Sequence, residues 1–142
     1  MTFPDRSTSA IAIAKDAGVL ASDYFRRVAD LKIEDKGPQD FVTEADKAVE
    51  LRVRASIEAA YPDDGIVGEE HKPKPSRSGF TWVIDPIDGT TNFINAIPAW
   101  CVVIAVVKDD AAEIGVIHDP VHDETFSTVS YTHLTLPTNR EV

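Results

Sequence analysis

The chain has 142 residues, with 24 Asp and Glu against 14 Lys and Arg and a formal charge of −10 at neutral pH. That length suits one domain or part of a larger one, and 43% hydrophobic with 27% charged residues excludes wholesale disorder. So acidic a balance argues against a nucleic-acid backbone or an anionic membrane as partner, since both select a basic face; an intervening metal ion can still join an acidic protein to an anion.

Residues 1–6 lack the basic start and apolar run of a secretory signal, so the cytoplasm is the expected compartment. Ser7, Thr8 and Ser9 offer caps for a first helix. Ile13, Ala17, Leu20, Tyr24, Val28 and Leu31 then recur at three- and four-residue spacing, which predicts an amphipathic helix of about six turns. Lys36-Gly37-Pro38 breaks it. A second helix is expected from Thr43, with Ala45, Val49, Val53, Ile57 and Ala60 as its stripe and Pro62-Asp63-Asp64-Gly65 as its end. Thr43 and Asp46 have the spacing of a helix cap. Ile66-Val67 reads as a short strand running into Gly68-Glu69-Glu70, and residues 71–79 as an exposed loop.

From Phe80 the texture changes to strands. Residues 80–84 form a short apolar run. Residues 100–107 form a longer one, rich in β-branched side chains and expected to be buried on both faces. The apolar stretch 99–107 is the longest in the chain, far short of the roughly 20 residues that span a bilayer. Residues 113–118 should pair with it as a hairpin, and 124–129 should add the next strand. Two helices followed by mainly antiparallel strands predict an α+β layered fold. The lone Cys101 has no disulfide partner and reads as a small buried hydrophobe. Trp82 and Trp100 read as core aromatics, and His118 and His122 as surface residues beside a turn.

The informative segment is Trp82-Val83-Ile84-Asp85-Pro86-Ile87-Asp88-Gly89-Thr90-Thr91-Asn92-Phe93. A buried strand delivers Asp85 to its end, Pro86 and Gly89 shape a turn, and Thr90 or Thr91 can cap a short helix. Hard divalent cations take carboxylate oxygens, and the amides of Gly89 and Thr90 suit a phosphate oxygen. Asp also favours turns, so spacing alone leaves a plain turn open. An EF-hand fails, because Ile87 and Gly89 stand where that loop needs oxygen ligands.

Taken in order, Asp40-Phe41-Val42-Thr43-Glu44-Ala45-Asp46, Gly68-Glu69-Glu70 and the segment from Trp82 to Phe93 resemble the inositol monophosphatase family of Mg²⁺-dependent phosphomonoesterases. Gly115-Val116-Ile117-His118-Asp119-Pro120 and Asp123-Glu124-Thr125-Phe126 are similar to its following strands. The resemblance implies the N-terminal portion of a layered α/β/α sandwich of the sugar-phosphatase type. It implies Glu69, Asp85, the Ile87 carbonyl and Asp88 as metal ligands, with Mg²⁺ as the cofactor. By the same resemblance Asp88 also touches substrate, Gly89 and Thr90 bind phosphate through their amides, Glu69 is catalytic in orienting water, and the Thr90 hydroxyl and Asp46 help activate it. Lys36 and Asp40 fall where the family has a flap near the site. The implied substrate is a small phosphorylated molecule, inositol monophosphate first. Histidinol phosphate, fructose bisphosphate or adenosine bisphosphate are alternatives within the family. No nucleic-acid or membrane partner is expected, and a homodimer is possible for the full-length protein.

The family's further half carries a Trp-Asp motif whose Asp completes the second metal site, and no such pair occurs here. Residues 130–142 contain no glycine and depart from the family's pattern, so they are expected to be a non-native tail behind a metal- and phosphate-binding part over 1–129. The 142-residue chain is accordingly expected to be inactive alone, with an apolar face exposed where the other half would pack. Two rivals stand beside this reading. A phosphatase that phosphorylates its own Asp needs Asp-x-Asp, and Asp85 and Asp88 are one residue too far apart. A non-enzymatic cation-binding domain would use the same acids without hydrolysis.

Overall fold

The computed structural model describes residues 5–31, 38–129 and 133–135. The first helix, α1 (Arg6–Leu31), carries the predicted stripe: Ile13, Ala17 and Val28 are buried, and Leu20 and Tyr24 pack against the core. Ala10, Ala14 and Ala21 are also fully buried, and such small side chains let the helix lie close to its neighbours. Its cap is Asp5 rather than Ser7, Thr8 or Ser9. The Asp5 carboxylate accepts the Thr8 amide at 2.8 Å, and a carboxylate also suits the positive end of the helix dipole.

The second helix, α2 (Pro38–Ala60), starts one turn earlier than Thr43. A proline's fixed φ and missing N–H suit the first helical turn, so a residue expected to break the first helix opens the second. Thr43 is therefore no cap. It lies inside the helix, and its hydroxyl donates to the Gln39 carbonyl at 3.0 Å. Lys36 lies outside the described residues, and Asp40 sits exposed in the first turn of α2.

Among the described residues six strands follow in one sheet: β1 (Gly65–Gly68), β2 (Phe80–Asp88), β3 (Cys101–Lys108), β4 (Ala111–Asp119), β5 (Glu124–Val129) and β6 (His133–Thr135). A short helix, α3 (Thr90–Ile94), joins β2 to β3. Strand order in space equals order in sequence. Only β1 and β2 run parallel; every later pair is antiparallel. The architecture is the expected α+β one.

Both long helices pack on one face of the sheet, α1 against β3 and β4 and α2 against β2. Trp82, Ile84, Val102, Ile104, Val106 and Val116 supply the sheet's side of that core. Among the described residues no second layer covers the other face. Val67, Val83 and Ile117 are 41%, 40% and 45% exposed, and Cys101, Val103 and Ala105 are half-buried. The expectation that β3 is buried on both faces thus fails among the described residues: its apolar residues face both ways, but the described helices cover one side. An open apolar sheet face of this kind matches the expected exposed surface. Among the described residues, no helix is long and apolar enough to cross a membrane.

Candidate active site

Three elements bring the acids together. Gly68 pairs with Ile84 in the parallel ladder, so Glu69, one residue beyond β1, emerges beside Asp85 on β2. The C-terminal edge of parallel strands is a common place for a ligand. β2 itself continues to Asp88, past the expected end at residue 84.

A bulge explains how Asp85 and Asp88 cooperate. In a regular strand, residues three apart point to opposite faces. Here Asp85 pairs with Val103 but Asp88 pairs with Cys101, a shift of one residue around Pro86 and Ile87. The extra residue turns Ile87 into the core (2% exposed) and returns Asp88 to the open face that Asp85 already occupies. Pro86, which cannot donate to a ladder, stands inside the irregular stretch.

Gly89 then makes the exit. Its φ is 95°, and it occupies the N-cap position of α3 without any side-chain cap bond, so neither Thr90 nor Thr91 caps that helix. The Thr90 hydroxyl donates instead to the Ile87 carbonyl at 3.2 Å. No bond from it to Asp46 is present among the described residues. A Cβ on Gly89 would lie 3.0 Å from the Ala99 carbonyl oxygen and 3.2 Å from Trp100 Cα. Gly89→Ala is therefore expected to cost about 1–2 kcal/mol, from a left-handed backbone and a tight contact together. An unchanged urea midpoint in that variant would show that the turn does not need glycine.

The electrostatics mark the same place. Asp46, half-buried on α2, has its carboxyl pushed up to about 7 by burial first, then by the charges of Glu70, Asp85, Glu69 and Glu50. Asp85 is raised by burial and by Asp88 and Glu69, against an opposing bond from the Ile87 amide. Among the described residues no Lys or Arg pairs with Glu69, Asp85 or Asp88. Acids that repel one another and lack a basic partner suit a hard cation, and the donor set of carboxylates plus one carbonyl fits Mg²⁺. Among the described residues, however, no three His, Cys, Asp or Glu side chains stand close enough to form a finished cage.

Cys101 differs from its expected place in the core. It is half-buried at the rim of the site, with Sγ 3.9 Å from Asp88 Oδ2, and burial with the nearby acids pushes its thiol up to about 11. His118 is not a surface residue. It is 4% exposed, with Nδ1 2.9 Å from Thr125 Oγ1, because β4 turns it under α1 beside Gly18. His122 is exposed as expected and pairs with Asp119 at 2.8 Å. Trp82 and Trp100 are core aromatics, 0% and 3% exposed. Two buried acids, Glu50 and Asp64, were not singled out by pattern. The signal for Glu50 was its place four residues after Asp46, along the edge of the α2 stripe.

The chain is 43% identical over 117 residues to a histidinol-phosphatase of Chlorobaculum parvum, covering 82% of this chain and 45% of that protein. It is 41% identical over 122 residues to the Nus factor SuhB of Haemophilus influenzae, covering 84% and 45%. The structure of an inositol monophosphatase from Anabaena (Nostoc) sp. superposes with a TM-score of 0.77 at 31% identity, covering 96% of this chain and 48% of that one. The chain thus spans about half the length of the curated relatives it matches. The model of the inositol monophosphatase family matches residues 5–137, a region that takes in both long helices, all six strands and every acid of the cluster, and the chain belongs to that family.

Proposed function

We propose that the protein carrying this chain hydrolyses a small phosphate monoester with Mg²⁺, and that inositol monophosphate is the substrate. The observation that supports this reading is the acid cluster itself. Acids from the end of β1, from β2 and from α2 crowd together beside the Gly89 turn, and their charges add to burial in raising the carboxyls of Asp46 and Asp85. When bound, Mg²⁺ supplies a Lewis acid that acidifies water and neutralises phosphate charge. Glu69, Asp85 and the Ile87 carbonyl would hold one ion, and Asp85 with Asp88 a second. The amides of Gly89 and Thr90 would donate to a phosphate oxygen, and Asp88 would touch the substrate. Asp46, poised near neutrality, accepts a proton at its carboxylate, with the Thr90 hydroxyl close to the same chemistry.

Residues 1–129 make up the metal- and phosphate-binding part in this reading, and 130–142 a tail foreign to it. The completed protein works in the cytoplasm as a homodimer on a soluble phosphate ester rather than on a nucleic acid or a membrane. Histidinol phosphate is the second candidate substrate, favoured by the likeness to the histidinol-phosphatase. The test is phosphate release by the full-length protein that carries this segment, with Mg²⁺ and with chelator. Inositol monophosphate should turn over faster than histidinol phosphate, and Asp85→Asn should reduce turnover by roughly 10²–10³-fold. No release from either ester would sink the proposal. Mg²⁺ binding without hydrolysis would favour the cation-binding alternative.

A further inference from the structure

Residues 69–71 lie past the end of β1, so no strand ladder holds the segment that carries Glu69. Helix α2 holds it instead. Glu50 is a fully buried carboxylate, 0% exposed. Its Oε1 accepts the Glu70 amide at 3.1 Å, and its Oε2 accepts Arg54 Nε at 3.1 Å. Arg54 Nη2 in turn donates to the His71 carbonyl at 3.2 Å, and His71 Nε2 lies 3.2 Å from the Lys47 carbonyl. The strand end rests directly on the carboxylate, since a Cβ on Gly68 would sit 2.2 Å from Glu50 Oε1. Burying a carboxylate is unfavourable even when it is paired, and an apolar side chain could fill the same space against the sheet. The charge is accounted for by what it grips: the backbone on the C-terminal side of Glu69, directly and through Arg54.

We propose that Glu50 is a positioning residue for the metal ligand Glu69, clamping the Glu70 amide so that the Glu69 carboxylate is presented beside Asp85. Glu50 touches neither substrate nor cation; it acts through the backbone. The proposal rests on the reading of Glu69 as a ligand.

Mn²⁺, which shares the oxygen-ligand preference of Mg²⁺, is the probe, followed by the paramagnetic signal of the free ion over the 142-residue chain. Glu50→Leu is expected to weaken Mn²⁺ binding by roughly 10–100-fold, as loss of a partner behind a ligand does, and to speed hydrogen exchange at the Glu70 amide. Glu50→Gln keeps one acceptor oxygen and should recover part of both. A Glu50→Leu chain with unaltered circular dichroism and Mn²⁺ affinity within twofold of the parent overturns the proposal. If Glu50→Leu does not fold, Glu50→Gln and Arg54→Met carry the same two readouts, and unchanged affinity and exchange there overturn it equally. A parent chain that takes up no Mn²⁺ overturns the ligand reading of Glu69 itself, a result distinct from normal parental binding with unaffected variants.

Discussion

Asp64→Ala is expected to destabilise the chain by about 3–5 kcal/mol, the range for removing one partner of a buried ion pair. For a chain of this size that lowers the melting temperature by roughly 10–20 °C. Asp64 is 1% exposed and accepts four hydrogen bonds: from Arg6 Nε at 2.7 Å, Arg6 Nη2 at 2.8 Å, Ser78 Oγ at 2.6 Å and Trp82 Nε1 at 2.8 Å. These donors come from the start of α1, the loop before β2 and the core of β2, so one carboxylate ties three segments. Arg6 also lies over the rings of Phe80, at 3.7 Å, and Tyr61, at 4.7 Å, which fixes it for bidentate pairing. Alanine would leave a guanidinium, a hydroxyl and an indole N–H without their acceptor.

The pH dependence has a definite sign. Burial alone would raise the Asp64 pKa, but the bonds from Arg6, Ser78 and Trp82 outweigh it and hold the carboxyl below its ordinary 3.8. A depressed folded value means that Asp64 stabilises above 3.8 and that this contribution is lost as pH falls through the depressed value. Urea titrations of parent and variant at pH 7 should show the full difference, and at strongly acid pH a smaller one. Arg6→Leu combined with Asp64→Leu should recover part of the loss, because an apolar pair leaves no unpaired charge. A deficit below about 1 kcal/mol at pH 7 would reduce the network to the weight of a surface ion pair.

Asp64 also shows where sequence reading stops. In Asp63-Asp64-Gly65 both acids read as turn residues, and Asp63 is one, exposed and paired with Arg77 at the surface. Nothing local distinguishes its neighbour; the distinction comes from Arg6, 58 residues away. The helices were legible because their apolar spacing is a property of the segment alone, and Ala45, Val49, Val53 and Ile57 are buried as their period predicts. The second helix starts at Pro38 rather than Thr43 because a proline that breaks a helix from within also suits the first turn of the next, and only the following chain decides. The segment from Asp85 to Thr90 was legible as chemistry but not as geometry. Three-residue spacing on a strand does not put two acids on one face, and the bulge opposite Val103 and Cys101 is a matter of pairing between strands. His118 went the other way, since its burial depends on Gly18 of α1, which has no side chain to hold β4 off. β3 illustrates a different limit: its apolar residues point both ways as if two layers covered it, and among the described residues helices lie on one side.

The second large effect concerns the acid cluster of Asp46, Glu69, Asp85 and Asp88. Asp46 rises from 3.8 to about 7, so between those pH values the folded chain keeps a proton that the unfolded chain has released. Stability from this group is therefore full below 3.8 and declines as pH rises towards 7, and Asp85 shifts in the same direction. The slope is opposite to that of Asp64 and lies in a higher pH window, so the two separate in one titration series. Asp46→Asn removes the penalty and is expected to make the metal-free chain about 1–2 kcal/mol more stable at pH 8, after allowing for solvent screening of a half-buried group. Mg²⁺ should also stabilise the parent. At a hundredfold excess over its dissociation constant it stabilises by about 2.7 kcal/mol, releases protons on binding, and gains more at pH 8 than at pH 5 because the acids must be ionised to bind. Melting curves at pH 5 and pH 8, with and without Mg²⁺, test all of this together. Identical pH slopes for parent and Asp46→Asn, or no Mg²⁺ shift at pH 8, would remove the electrostatic case for a cation site. The signs follow from one cause: carboxylates gathered from α2, from just past β1 and from β2 repel one another, and a divalent cation would relieve that repulsion.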